Sequence, residues 1–123
     1  MKLGGVITGI ITNSGTISAA GTGTSSIVIG AQTFSGIGSS AISIWNGASI
    51  GGITNNGSGL ISNTSAGQSA ISIGNGPAML AANPGLPSTG GVVTGAITNS
   101  GTITSAGYSI RVNGTVTGGL IHS

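Results

Sequence analysis

The heptapeptide Ile-Thr-Asn-Ser-Gly-Thr-Ile occupies Ile11 to Ile17 and returns unchanged at Ile97 to Ile103. Its two halves have different jobs. Ile and Thr favour extended backbone, whereas Asn-Ser-Gly favours a turn, because Asn and Gly tolerate conformations that other residues avoid. The heptapeptide therefore reads as strand, turn, strand. A looser copy surrounds Asn55 in Gly-Ala-Ser-Ile-Gly-Gly-Ile-Thr-Asn-Asn-Gly, residues 47–57. A fourth closes the chain in Gly-Thr-Val-Thr-Gly-Gly-Leu-Ile-His-Ser, residues 114–123, with His122 in the Asn place.

Asn13, Asn55, Asn99 and His122 follow one another at intervals of 42, 44 and 23. These spacings suggest a unit of roughly 22 residues, a usual length for a stacked repeat. The two longer intervals then count as two units each. On that reading a degenerate copy places Phe34 in the Asn column, midway between Asn13 and Asn55. A further copy is due near 77, where Pro77, Pro84 and Pro87 interrupt the pattern. Periods of 20–50 residues mark stacked rather than globular architectures.

A second signal lies between the Asn positions. Ile27–Ile29, Ile42–Ile44, Ile71–Ile73 and Ile110–Val112 are three-residue aliphatic alternations. Each reads as a short strand with its outer two side chains inward and Val28, Ser43, Ser72 or Arg111 outward. Trp45, one residue past Ile44, is expected to point outward.

Composition closes off many functions. The chain has 26 Gly, no Cys, no Asp or Glu, one His, and two Lys plus Arg. Two distant cations cannot supply the clustered phosphate contacts of nucleic-acid binding. Disulfides are excluded. General acid–base catalysis by paired carboxylates is excluded as well, and no metal ligand set can be assembled. Gly-Ala-Ser-Ile-Gly at 47–51 fits a nucleophile elbow by letters alone, since no carboxylate exists to complete a triad. Gly36 to Ala41 lacks the helix and acidic residue of a dinucleotide fingerprint. The reading is a non-enzyme without cofactors. No apolar run reaches the ~18 residues of a membrane helix, and one Trp and one Tyr cannot form the girdles of a membrane barrel. Met1 to Gly5 is not followed by an apolar stretch of signal length. This reads as a signal already removed or an excerpt of a longer chain.

A strand-rich unit of about 22 residues cannot bury its own apolar face, but stacked units can. The expected fold is all-β: a single-stranded right-handed parallel β-helix (β-solenoid). It would have five rungs of about 22 residues and a partial rung. These would form one domain over 1–123 with a loop-out at 77–90. The absence of a strict hexapeptide rule favours the right hand. Inward columns would contain Ile11, Ile53 and Ile97; Ile17, Ile61 and Ile103; and the outer residues of the four alternations. Two physical reasons suit the column Asn13, Asn55, Asn99 and His122. Stacked amides can hydrogen-bond along the axis, or each Asn can adopt a left-handed turn conformation.

The words Ile-Thr-Asn-Ser-Gly-Thr-Ile-Ser (11–18), Gly-Ala-Ile-Thr-Asn-Ser-Gly-Thr-Ile-Thr-Ser-Ala-Gly (95–107) and Ser-Ala-Ile-Ser-Ile (40–44) resemble the repeats of bacterial autotransporter passenger domains and related surface adhesins. The resemblance implies an extracellular or cell-surface right-handed β-helix serving as stalk or adhesin. Three functional readings follow. The first is a structural or adhesive β-solenoid that stacks end to end into filaments of its own copies. Its N-terminal edge would be Val6, Ile7, Ile10 and Ile11, and its C-terminal edge Val116, Leu120 and Ile121. The second is a monomeric passenger stalk binding a host or surface ligand through a loop of Pro77, Met79, Asn83, Pro84 and Pro87. The third is an ice-binding face built on Thr22, Thr24, Thr102, Thr104, Thr115 and Thr117, although these do not recur in one column. None of the three involves nucleic acid or membrane insertion.

Overall fold

The computed structural model describes residues 2–3, 5–20, 24–29, 32–37, 40–75, 85 and 90–122. Every regular element among them is a strand. The first pass contains β1 (Lys2–Leu3), β2 (Val6–Asn13) and β3 (Thr16–Ala19). A hairpin, β4 (Thr24–Ile29) and β5 (Gln32–Ile37), follows. The second pass is β6 (Ile42–Ile44), β7 (Ser49–Asn55) and β8 (Leu60–Asn63). The third is β9 (Ile71–Ile73), β10 (Val92–Val93), β11 (Ile97–Asn99) and β12 (Thr102–Ser105). The fourth is β13 (Ile110–Val112), β14 (Thr115–Val116) and β15 (Leu120–His122).

Successive passes pair side by side in three parallel sheets. Sheet 1 runs β1-β6-β9-β13, and sheet 3 runs β3-β8-β12. In sheet 2, β7 lies between β2 on one side and β10 with β11 on the other; β14 and β15 pair beyond those two. Each pass visits the sheets in the same order. The arrangement is compatible with a β-solenoid.

Registers follow the sequence repeats. Ile11, Ile53, Ile97 and Leu120 align across sheet 2, and Ile17, Ile61 and Ile103 across sheet 3. Apart from the exposed Leu120, these rows form the core, together with Ile42, Ile44, Ile50, Ile71, Ile73 and Val93. A row is buried at its middle and opens at its ends, since an edge strand lacks a neighbour to cover it. Ile53 and Ile61 are fully buried, whereas Ile11, Ile17, Ile103 and Ile110 are only partly buried. Burying one such side chain contributes roughly 1.5–3 kcal/mol.

The pairing corrects the expected series of five equal rungs. The shortest return, Asn99 to His122, takes 23 residues, while Asn13 to Asn55 takes 42 and Asn55 to Asn99 takes 44. The longer passes are not double units. One contains the β4–β5 hairpin, and the other contains the segment between Asn75 and Gly90. Phe34 consequently does not join the Asn column: it lies in β5, antiparallel to β4 and opposite Ile27. Ile27 and Ile29 likewise belong to this hairpin and not to a parallel sheet. Pro77, Met79, Asn83, Pro84 and Pro87 lie outside the described residues. The bases of their segment meet, because Gly74 and Gly91 pass so closely that a Cβ on Gly91 would lie 2.8 Å from the Gly74 nitrogen.

Three further expectations change. Val112 is 42% exposed, as an edge strand requires. Ser43 is buried, so β6 is covered on both faces. Trp45 is buried too, at 3% exposure. Alternation stops at that residue, because the chain turns there: Ala48 N–H donates to the Trp45 carbonyl at 3.0 Å, and Gly47 takes φ 82°. A corner side chain is not bound by the period of two.

Ile53→Ala should lower stability by about 2–5 kcal/mol, read as the shift in urea midpoint. The exposed Thr12→Ala should stay within about 0.5 kcal/mol of the parent.

Candidate functional site

The repeated Asn residues end the sheet 2 strands of the first three passes, where the chain turns toward sheet 3. Their side chains are buried and point along the stack. Asn13 Nδ2 donates to Asn55 Oδ1 at 2.8 Å, and Asn55 Nδ2 donates to Asn99 Oδ1 at 2.8 Å. Asn99 Nδ2 then meets His122 Nδ1 at 3.1 Å. An amide nitrogen can only donate, so the imidazole takes the place of the next Asn oxygen in the column. The left-handed alternative fails, since no described residue other than Gly has positive φ.

Backbone groups fix which way each amide faces. Asn55 Nδ2 lies 3.1 Å from both the Gly59 and the Thr102 carbonyl oxygens. Asn13 Nδ2 has the same relation to Gly15 and Leu60, at 3.1 and 3.2 Å. Gly15 N–H donates to Asn13 Oδ1 at 3.2 Å. Reversing an amide would set oxygen against carbonyl oxygens. The column is therefore polar. Its first-pass end is Asn13 Oδ1, and its last-pass end is the His122 ring.

A second Asn corner was not among the expectations. Asn46 N–H donates to Asn75 Oδ1 at 2.8 Å, and Asn75 N–H donates to Asn46 Oδ1 at 2.9 Å. The signal was present: both Asn residues stand two positions after an Ile-Ser-Ile word.

The expected stacking residues lie on the outermost strands of sheet 2. Val6, Ile7, Ile10 and Ile11 are on β2, Val116 is on β14, and Leu120 and Ile121 are on β15. Among the described residues, each of these strands has a neighbour on one side only. Exposure follows: Val6 is 72% exposed, Ile10 62%, Leu120 55% and Ile121 51%, while Ile11 and Val116 are half-buried. An apolar groove of about 340 Å³ opens at the last pass, lined by Ile97, Ile103, Ile110 and Leu120 with Asn99 and His122 beside them. It lies where sheet 3 has no described strand beyond β12.

The expected Thr pairs separate. Thr102 and Thr104 belong to sheet 3, Thr115 to sheet 2, and Thr24 to the hairpin; Thr22 lies outside the described residues. A Thr row that the sequence reading did not pick out does exist, with Thr12, Thr54 and Thr98 in register across sheet 2.

Comparison of the chain with protein-family models, curated proteins and solved structures finds no match.

Asn55→Ala removes a donor and an acceptor from the middle of the buried column. The expected loss is about 2–4 kcal/mol, since a net bond is worth about 1 kcal/mol and an orphaned buried group costs more. His122→Asn restores an amide at the column's end and should cost less than about 1 kcal/mol. Urea unfolding of both variants checks this order.

Proposed function

We propose that the chain is a structural element of the bacterial cell surface: a right-handed β-solenoid that extends by head-to-tail stacking of its own copies. The observation that carries this reading is that, among the described residues, sheet 2 has an unpaired strand edge on each side. Parallel strand edges with exposed aliphatics are templates for another strand, and natural proteins normally blunt them. β2 and β15 instead carry Val6, Ile10, Leu120 and Ile121 exposed.

The two edges also suit each other. Within the molecule β2, β7 and β11 pair in one register, and β15 continues it. A second copy added in that register puts its Ile11 beside Leu120 and its Asn13 beside His122. The polar column then continues, with the His122 ring beside the next Asn13. Head-to-head addition would oppose like groups. Contacts that do not close on themselves run on as a filament. The repeat style, with its resemblance to adhesin passengers, supports an extracellular location and a scaffold role. The Thr-rich, nearly uncharged surface needs no chemistry beyond that.

Electron microscopy of the purified chain should show fibres that lengthen with concentration, with strands spaced about 4.8 Å along the axis. Ile10→Lys and Leu120→Lys should each hold the chain as a monomer with unchanged circular dichroism. A wild-type chain that stays monomeric at high concentration would leave a stalk without self-association.

A further inference from the structure

We propose that the groove beside β12 is an acceptor for one extended peptide strand, uncharged and aliphatic at its second residue, added parallel to the edge of sheet 3. Such a strand binds a single copy, so its binding does not depend on the stacking reading above.

Each strand of sheet 3 receives the next in the same way. Leu60 and Thr64 N–H donate to the Gly15 and Ala19 carbonyls at 2.8 and 3.1 Å. Thr102 and Ala106 N–H donate to the Gly59 and Asn63 carbonyls at 2.9 and 3.0 Å. Gly101 and Ser105 hold the equivalent places one strand further on. Among the described residues, no strand pairs with β12 on that side. The Asn column takes part as well. Asn13 Nδ2 donates to the Leu60 carbonyl at 3.2 Å, and Asn55 Nδ2 to the Thr102 carbonyl at 3.1 Å. Each amide thus holds the first residue of the sheet 3 strand in the following pass. Asn99 Nδ2 stands in the same position for an added strand. It already bonds the Gly101 carbonyl at 3.1 Å, as Asn55 bonds Gly59.

The apolar surface matches the backbone pattern. Ile17, Ile61 and Ile103 form one row; Ile61, in its middle, is fully buried, whereas Ile103 is only partly buried. Ile103 lines the groove with Ile97, Ile110 and Leu120. An aliphatic second residue would extend the row over Ile103. The groove lining has no Lys, Arg, Asp or Glu, which suits an uncharged segment. Main-chain bonds along a sheet edge, with a pocket for alternate side chains, are how extended peptides are commonly recognised. A stacked copy does not occupy this place. With its β2 beside β15, its β3 lies two strand spacings from β12, about 9.6 Å, which leaves the width of one strand between them.

The probe is acetyl-Thr-Ile-Thr-Ser-Ala-amide, the word at 102–106, titrated into Ile10→Lys and followed by NMR. Residue 10 is on β2, at the far edge of sheet 2 from the groove. The wild type below its fibre-forming concentration serves as a second host. Saturable shifts are expected at the Asn99 side-chain amide and the Ile103 methyl groups. N-methylation of the peptide's first residue removes the N–H meant for Gly101 and should weaken binding about fivefold, the size of one net hydrogen bond. N-methylation of its Ile, whose N–H faces away from β12, should change binding by less than about twofold. Serine in place of that Ile should weaken it about tenfold. Leu120→Lys sets an ammonium in the groove and should also weaken it at least about tenfold. Shifts that do not saturate, equal losses from the two methylations, or undiminished binding by Leu120→Lys would each overturn the acceptor, whether or not the wild type forms fibres. The expected pattern in a wild-type chain that forms no fibres would support the acceptor and end the stacking reading.

Discussion

The amide column Asn13–Asn55–Asn99 is the constraint on which the remaining structure depends. Each of these side chains sits in a largely dry corner, where an unpaired amide would cost more than a satisfied one gains. The bonds close only if the passes stand in one register. A slip of one residue would turn Asn outward and a Thr inward, undoing the ladder and the aliphatic rows in one step. A chain with 26 glycines has a large conformational entropy to overcome. It does so with rows whose inward positions carry Ile, Val or Asn, while most outward ones are small or hydroxylated.

The direction of the column matters as much as its existence. Ile rows look the same from either end, but a chain of amides does not. Backbone carbonyls of Gly59, Leu60 and Thr102 fix the donor side of each amide, so the stack has a sense built from its interior. The second corner, where Asn46 and Asn75 exchange bonds between backbone and side chain, ties sheet 1 to the same alignment. Two corners held by hydrogen bonds and three faces filled by aliphatics specify one arrangement of passes.

Much of this is legible from residues 11–17 and their copies. The strand-turn-strand reading, the Asn column and the rows through Ile53 and Ile61 all follow from close repeats. What misleads is arithmetic. An interval of 42 divides neatly by two, and Phe34 falls at the midpoint. Yet a bare circuit takes 23 residues, and the longer pass adds an excursion to it. Local pattern cannot tell a second circuit from an excursion of similar length, because both are runs of Ile, Ser and Gly. Trp45 departs from expectation for a different reason: the period-two rule does not extend one residue beyond the strand that justifies it. Asn46 and Asn75 escape the sequence reading because the Thr-Asn words repeat more fully than the equal spacing after Ile-Ser-Ile.

The meeting of Gly74 and Gly91 has a consequence for how such a chain can change. Departure and return occur at neighbouring points, so the sheets see a junction of fixed width whatever lies between. A longer chain between the two glycines would leave that junction as it is, since closure entropy grows only slowly with length. The circuit can therefore act as a frame of constant size into which new surface is spliced, while every strand keeps its partner.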